Sequence, residues 1–342
     1  MYTKNVTLQD IAEQCGVSQS AVSCILNSRE DIRIAPQTRK RVLHCAAEMG
    51  YRVTGRKGRT SETVAIYVSG RRHTANIGTS FFVNVAQAIR QKGLLSGIQI
   101  FELIYDPSEE IRFIKSISDL APEIVITQVA SVIDVLRKHN MSIPAISVQS
   151  GEPGPGSSAY HVDDQSVGRL AAKVLIENKY SNITLLFPVS AARSVSERFS
   201  GFQQVFEQTT GRYKTVEMED YFGKPDIRSA VRDTINRSDA YYCFSDGVAL
   251  KTMQIIQQLG RRIPEDIGVV GTDNLYWSEF FYPALTTMDL HEDLFAERII
   301  RDILHVKKGK TLEPVCTRIP VNLIRRRSTS RSKASQVKAE HE

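Results

Sequence analysis

The chain has 342 residues, of which 42% are hydrophobic and 24% charged, with a formal net charge of +6; this suits two or three globular domains rather than one. No run approaches the ~20 apolar residues of a membrane span, and the opening MYTKNVTLQD has no apolar signal core, so a cytoplasmic protein without a membrane partner is expected. Five cysteines (Cys15, Cys24, Cys45, Cys243, Cys316) form no CxxC pair, which argues against a zinc cluster and a disulfide framework and leaves reduced thiols packed as small apolar residues.

The charge is unevenly placed. Residues 1–60 carry ten Lys/Arg against five Asp/Glu, residues 325–342 carry six against two, and the stretch between is slightly acidic. A basic end on an acidic body suggests that the first segment meets a polyanion. The Ser- and charge-rich tail, 329–342, is expected to be disordered and is given no role.

In chain order, the first elements are helical. Thr7 followed by Asp10 reads as a capping box, and Leu8, Ile11, Ala12 and Cys15 lie at helical spacing. Gly16 ends that helix, because the tight turn wants a residue tolerant of positive φ. Ser18 caps a second helix with an inner face of Ala21, Val22, Ile25 and Leu26 and an outer face of Gln19, Ser20, Ser23 and Cys24. A third begins near Pro36 and runs through Val42, Leu43, Ala46 and Met49 to Gly50. Two helices on a short glycine turn, with small polar side chains opening the second, describe a helix-turn-helix that presents those side chains to base edges in the major groove. On pattern alone, an ordinary three-helix bundle is the alternative.

The run VTLQDIAEQCGVSQSAVSCILN, followed by TRKRVLHCAAEMGY, resembles the DNA-binding headpiece of the lactose/galactose-repressor (LacI/GalR) family. D-I-A, G-V-S, A-V-S, L-N, T-R-x-R-V and G-Y occur in family order. The resemblance implies that Gln19 and Ser20 read bases while Ser18, Ser23 and Asn27 lie near phosphates, with Thr7 and Cys24 in the same DNA-facing set. Cys24 stands where most members carry a DNA-contacting arginine, which loses a bidentate guanine contact and a charge. The loop SREDIRIAPQ is longer than the common form, and Ala35 replaces a capping serine, at a cost on the order of 1 kcal/mol. These departures change the expected operator rather than the expectation of DNA binding.

After this headpiece (1–51) comes a basic linker (52–62). In the family a hinge helix here carries a leucine that wedges into the minor groove; this segment is shorter, contains Gly55 and Gly58, and has no leucine, so the usual hinge helix is not expected. Either Arg52, Arg56, Lys57 and Arg59 lie along phosphates or in a narrow minor groove, or the linker is simply solvated.

From Val64 onward, strand-like runs (64–69, 98–105, 123–129, 145–149, 183–188, 240–245, 267–272) alternate with helical segments such as 81–92, 108–119, 131–139, 166–179, 194–209 and 247–259. That alternation predicts doubly wound α/β lobes with a ligand site beyond the strands' carboxyl ends. The loop 151–161 interrupts the pattern and is read as marking a crossing between two subdomains. No nucleotide, metal or nucleophile motif is present, so no cofactor, no metal and no enzymatic activity are expected.

The family resemblance continues through SFFVNVAQAI, HVDDQSVGRLAAKVL, ERFSGF, the long FSDGVALKTMQIIQQLGRRIPEDIGVVGTDN, PALTTM and IPVNLIRRRST. It implies a periplasmic-binding-protein-like domain (63–328) of two doubly wound lobes that dimerises and holds a small effector in its cleft. Carried over residue by residue, Arg198 grips ligand hydroxyls or a carboxylate, Asp273 accepts from ligand donors, and Phe81, Phe82, Tyr221 and Phe222 stack on the ligand. The alternatives are a core role for the phenylalanines and a structural ion pair for Arg198. Gln149 replaces a common aspartate, which argues against a standard hexose and leaves a pentose, a sugar acid, a nucleobase or no effector open. Asp246 is read as structural rather than ligand-contacting. The resulting expectation is a homodimeric repressor on a near-palindromic operator, controlled by a small molecule, most simply a sugar; a solute-binding protein for transport is the alternative.

Overall fold

The structure, a computed structural model, describes residues 7–26, 34–35, 37–38, 41–42, 45, 63–70, 80–190, 192–218 and 227–331. The chain divides into two compact units, Met1–Glu62 and Thr63–Glu342.

The first unit opens with α1 (Leu8–Cys15) and α2 (Gln19–Leu26). The capping box at Thr7 is complete: the Asp10 amide donates to Thr7 Oγ1 at 3.3 Å and the Thr7 amide donates to Asp10 Oδ2 at 2.7 Å. At the other end Gly16 adopts φ 60°, where its amide caps the helix on Ala12 and Glu13 carbonyls; a side chain there would be strained. Ile11, Ala12 and Cys15 from α1 share a core with Val22, Ile25, Val42 and Cys45. Pro36 and most of the expected third helix lie outside the described residues.

The second unit is built from two parallel sheets. The strands are β1 (Thr63–Gly70), β2 (Ile98–Tyr105), β3 (Ile124–Thr127), β4 (Ala145–Val148), β5 (Ser157–Val162), β6 (Asn182–Pro188), β7 (Arg212–Met218), β8 (Ala240–Cys243), β9 (Gly268–Val270), β10 (Thr287–Asp289), β11 (Cys316–Ile319) and β12 (Asn322–Ile324). The first lobe's six-stranded sheet runs β11-β5-β4-β3-β1-β2, the second lobe's four-stranded sheet runs β7-β6-β8-β9, and β10 pairs with β12. Every neighbour within the two larger sheets is parallel, as the strand–helix alternation requires.

The helices of this unit are α3 (Ser80–Leu95), α4 (Glu110–Leu120), α5 (Ser131–Lys138), α6 (Asp164–Glu177), α7 (Arg193–Phe206), α8 (Ile227–Thr234), α9 (Asp246–Gln258), α10 (Tyr276–Phe280) and α11 (Glu292–Lys307). Helices α6 and α7 cross at backbone contact, and glycine permits it. A Cβ on Gly168 would lie 2.0 Å from the Arg198 carbonyl oxygen, and one on Gly201 2.1 Å from that of Gln165. This approach brings residue 198 of α7 beside residue 164 of α6.

Two sequence expectations need correction. The second half of the loop 151–161 is not loop: Ser157–Val162 is the interior strand β5, buried along its whole length. It carries no apolar run because its polar side chains are satisfied inside. Tyr160 OH donates to Asp302 Oδ2 at 2.6 Å and Ser157 Oγ donates to the Gly154 carbonyl at 2.8 Å, so they can be buried without an unmet hydrogen bond. The chain passes to the second lobe only after β5. At the other end, Thr329 and Arg331, assigned to the tail, are part of the body. Thr329 Oγ1 lies 2.9 Å from Thr286 Oγ1, and the Arg331 guanidinium sits 4.0 Å from the Tyr180 ring centroid.

Candidate functional site

In the first unit the side chains of Ser18, Gln19 and Ser20 are exposed at the start of α2, and Ser23 and Cys24 are half-buried beside them. Val22 and Ile25, on the opposite face, are fully buried and fix the helix against α1. Ser18 Oγ accepts from the Ala21 amide at 3.2 Å and lies 3.0 Å from Ser20 Oγ, so it caps α2 at the same point where it is exposed to a partner. The Thr7 hydroxyl is committed to its own helix, donating to Asp10 Oδ2 at 2.7 Å. A rigid helix opening with small polar side chains has the shape and chemistry to enter a major groove. Asn27, Arg52, Arg56, Lys57 and Arg59 lie outside the described residues.

In the second unit a cavity of about 540 Å³ lies between the lobes. Its walls are the segments just past the strands' carboxyl ends: Gln128 after β3, Gln149 and Ser150 after β4, Ser190 after β6, Phe244 and Ser245 after β8, and Asp273 after β9. This is where open parallel sheets bind ligands. Five expected ligand residues come together here: Phe81, Phe82, Gln149, Arg198 and Asp273 all line it. Tyr221 and Phe222 lie outside the described residues. Phe81 is also a core side chain, edge-on to Phe295 at 5.3 Å between centroids, whereas Phe82 is only partly buried. Gln149 and Asp273 hold positive φ angles of 54° and 116°, backbone conformations that cost free energy in non-glycine residues and cluster at functional sites.

The cavity floor is polar and tightly bonded. Arg198 Nε donates to Asp164 Oδ1 at 2.7 Å, Nη1 donates to the Phe244 carbonyl at 2.8 Å, and the guanidinium lies 4.3 Å from the Phe244 ring centroid. Gln149 Nε2 donates to the other oxygen of Asp164 at 2.5 Å, while its Oε1 accepts from the Val162 amide at 2.7 Å. Gln149 thereby uses both ends of its amide, which an aspartate could not do. Burial lifts the Asp164 carboxyl above the usual range against the pull of Arg198. Asp273 is pushed well above it, by burial first and then by the Asp246 carboxylate, with Arg198 opposing. Asp246 itself is fully buried: it accepts from Ser278 Oγ and Thr287 Oγ1, each at 2.5 Å, and from the Leu275 amide at 2.9 Å. Those bonds tie α9 to the segments after β9.

The rim carries a second set of charges that spans the lobes. Arg193 on α7 donates through Nη1 to Glu152 Oε1, in the loop after β4, at 2.5 Å. Glu197, one turn along α7, takes both terminal nitrogens of Arg318 on β11, at 2.6 and 2.8 Å. Among the described residues, the buried Nη2 of Arg193 finds no hydrogen-bond partner. Beneath them His161 of β5 donates from Nε2 to the Gly151 carbonyl at 3.1 Å. Burial, and then the Arg193 charge, lower its pKa to about 4, so it is neutral at pH 7.

Asp164, His161, Glu152 and Arg193 were not anticipated from sequence. Asp164 had a signal, being an acid at the first position of the helix that carries the motif HVDDQSVGR. The rim charges had none, because their partners are more than forty residues away or on another lobe. Among the described residues no three His, Cys, Asp or Glu side chains group so as to hold a metal ion, and no helix is long and apolar enough to cross a membrane.

Known proteins share both units. Residues 7–53 match the profile of bacterial regulatory proteins of the lacI family, and residues 172–329 match that of the periplasmic binding protein-like domain. A repressor called PurR from Vibrio vulnificus (strain CMCP6), an HTH-type transcriptional repressor, is 25% identical over 297 residues, covering 82% of this chain and 86% of its own. Two solved structures share the fold. The transcriptional regulator CelR in complex with cellobiose superposes with a TM-score of 0.67 at 22% identity, covering 94% of this chain and 99% of its own. The lac repressor dimer bound to operator and the anti-inducer ONPF gives 0.66 at 21% identity, covering 95% and 99%.

Proposed function

The chain belongs to the lacI family of bacterial regulatory proteins and is a DNA-binding transcription regulator; from that premise we propose that it is a cytoplasmic, non-enzymatic repressor that reads a near-palindromic operator through Gln19 and Ser20 and is controlled by a small molecule in the interlobe cavity. The observation that carries this reading is the pairing of a rigid helix opening on exposed polar side chains with a polar cavity at the strand ends of a two-lobed body. The lac repressor dimer holds both operator and the small molecule ONPF, and the transcriptional regulator CelR holds cellobiose, which supports the pairing.

In this reading Ser18 and Ser23 fix the register on phosphates, while Gln19 and Ser20 discriminate bases. Cys24 makes no charged contact, so the operator differs from sites read by relatives with arginine there. The second copy of the chain meets an aromatic face on the second lobe. Tyr276, Trp277, Phe280 and Tyr282 are 71, 66, 64 and 81% exposed, and grouped exposed aromatic side chains of this kind mark interaction sites. Two-fold symmetry of the dimer then imposes near-two-fold symmetry on the operator. Arg198, Asp273, Phe82 and Gln149 hold the effector. The effector acts by favouring one arrangement of the lobes, and a coupling of about tenfold needs only ~1.4 kcal/mol of preference.

In vitro selection of duplex DNA from a random library by the full-length protein is expected to enrich an inverted repeat. Changing Gln19→Ala is expected to weaken that site by about 1–3 kcal/mol and relax it at one symmetric pair of positions, with thermal stability unchanged. Selection of no consensus would overturn the reading.

A further inference from the structure

We propose that Asp246 is the positioning residue of the surface that receives the second copy of the chain: its buried carboxylate holds the aromatic segment 275–282 in the shape the partner meets. The inference rests on the second copy docking on that aromatic face.

The exposed rings do not stand on a stable element of their own. Helix α10, which carries three of them, has only five residues, too few to keep its shape without help from its surroundings. The Tyr276 ring lies 5.4 Å from that of Trp277 and 4.9 Å from that of Phe280, so the three make one patch. Its roots lie beneath it. Phe281 packs against the second lobe's core cluster that includes Val248, Ala249 and Met253 of α9. Ser278, fully buried, donates to Asp246 Oδ2 at 2.5 Å, and the Leu275 amide donates to the same oxygen at 2.9 Å. The other oxygen, Oδ1, accepts from Thr287 Oγ1 of β10 at 2.5 Å. Near the far end of α9, Gln257 Nε2 donates to the Tyr282 carbonyl at 2.7 Å. The segment is thus strapped to one 13-residue helix at both ends.

The path into the segment makes the anchor necessary. Asp273 and Asn274, just before it, hold φ angles of 116° and 48°, conformations that persist only where the surroundings over-determine them. Without the carboxylate, the Ser278 and Thr287 hydroxyls can rotate toward other acceptors, but the Leu275 amide cannot. A donor left unmet there carries its full desolvation cost, so the backbone moves and the rings move with it. The partner then meets a face that must be ordered as it binds, which weakens association. Since one dimer reads both half-sites, the anchor also bears on operator affinity.

Sedimentation equilibrium of the full-length protein, read alongside the emission of Trp277, the chain's one tryptophan, tests this. Asp246→Ala is expected to raise the dimer dissociation constant about tenfold or more, with Trp277 emitting at longer wavelength at concentrations where the parent is paired. Ser278→Ala, which removes one donor and keeps the carboxylate, is expected to give a smaller rise, and it carries the test should Asp246→Ala not fold. Asp246→Asn is expected to keep most of the affinity, because its amide oxygen can accept from Leu275 and Ser278 while its NH2 donates to Thr287 Oγ1. Tyr276→Ser combined with Phe280→Ser removes the face itself. If that double variant pairs like the parent, the second copy docks elsewhere, and the underlying reading fails together with the proposal. If it pairs weakly while folded Asp246→Ala and Ser278→Ala proteins pair like the parent, the face stands and the role of Asp246 is refuted. An Asp246→Asn protein as weak as the alanine variant would also overturn the proposal, since hydrogen bonding would then not be what positions the face.

Discussion

Two arginines on one helix, Arg193 and Arg198, each reach a carboxylate contributed by another segment, yet they work in different media. At the cavity floor the Arg198 and Asp164 side chains are 6% and 2% exposed; at the rim those of Arg193 and Glu152 are 33% and 69% exposed. The floor pair is bonded on several sides, by Gln149 and the Phe244 carbonyl, inside the second lobe and beneath the first. The rim pairs cross from lobe to lobe through water-accessible space. Depth therefore separates two tasks that the same chemistry could serve: fixing the geometry of the site, and holding the lobes together loosely enough for a ligand to shift them.

The largest expected effect comes from breaking the floor. Asp164→Ala leaves the Arg198 charge buried and unpaired, and removing one partner of such a pair costs about 3–5 kcal/mol. Urea unfolding of the variant should show that loss. Replacing both partners, Asp164→Ala with Arg198→Met, should recover much of it, because two apolar groups leave no orphaned charge. A single variant as stable as the parent would mean that the floor is not a dry, rigid site, and the contrast with the rim would disappear.

His161 lies between the two levels and makes a smaller, pH-dependent contribution. Its pKa falls to about 4 in the folded protein, below the ordinary histidine value near 6.5, so the unfolded chain binds its proton more readily. The stability it contributes is full above about pH 6.5 and is lost as pH falls toward 4. The limit is about 3 kcal/mol. Asp246 works in the opposite direction: its pKa is raised to about 6, so its contribution is present below the ordinary carboxylate range and fades as pH rises through 6. The whole-protein profile mixes the two, so the informative quantity is the difference between parent and His161→Gln. That difference is expected to shift in favour of the variant as thermal melts move from pH 7 to pH 4. A constant difference would place His161 in contact with water, at the level of the rim.

How much of this could be read beforehand follows the same depth. The headpiece was legible because its signals are local: Thr7 and Asp10 cap, Gly16 turns, and Val22 and Ile25 fall on one face within a few residues of one another. Arg198 and Gly201 were legible only through the motif E-R-x-x-G-F, and the physical reason for the motif becomes visible in three dimensions, where Gly201 lets α7 touch α6 and Arg198 reach Asp164. Strand β5 escaped because its polar side chains are satisfied by Asp302 and by the Gly154 carbonyl, partners that hydrophobic patterning does not register. The rim escaped for a different reason: a Glu152–Arg193 or Glu197–Arg318 pair is a long-range coincidence of surface charges, with no spacing to betray it.

The smallest expected effect belongs to that rim. Glu197 and Arg318 meet in a two-pronged geometry, with side chains 16% and 44% exposed, and partly exposed pairs of this kind contribute about 0.2–1 kcal/mol. A double-mutant cycle with Glu197→Gln and Arg318→Gln isolates the coupling from whatever each change does alone. It is expected near the upper end of that range at low salt, because the bidentate fit limits the entropy lost in holding the pair. At 1 M salt, where the screening length is about 3 Å, most of it should vanish. A coupling that persists in salt would make the rim a second rigid joint like the floor, and the lobes would then be locked by their own side chains before any ligand arrives. A coupling that fades keeps closure weak and reversible, within reach of the ~1.4 kcal/mol that a tenfold regulatory response requires.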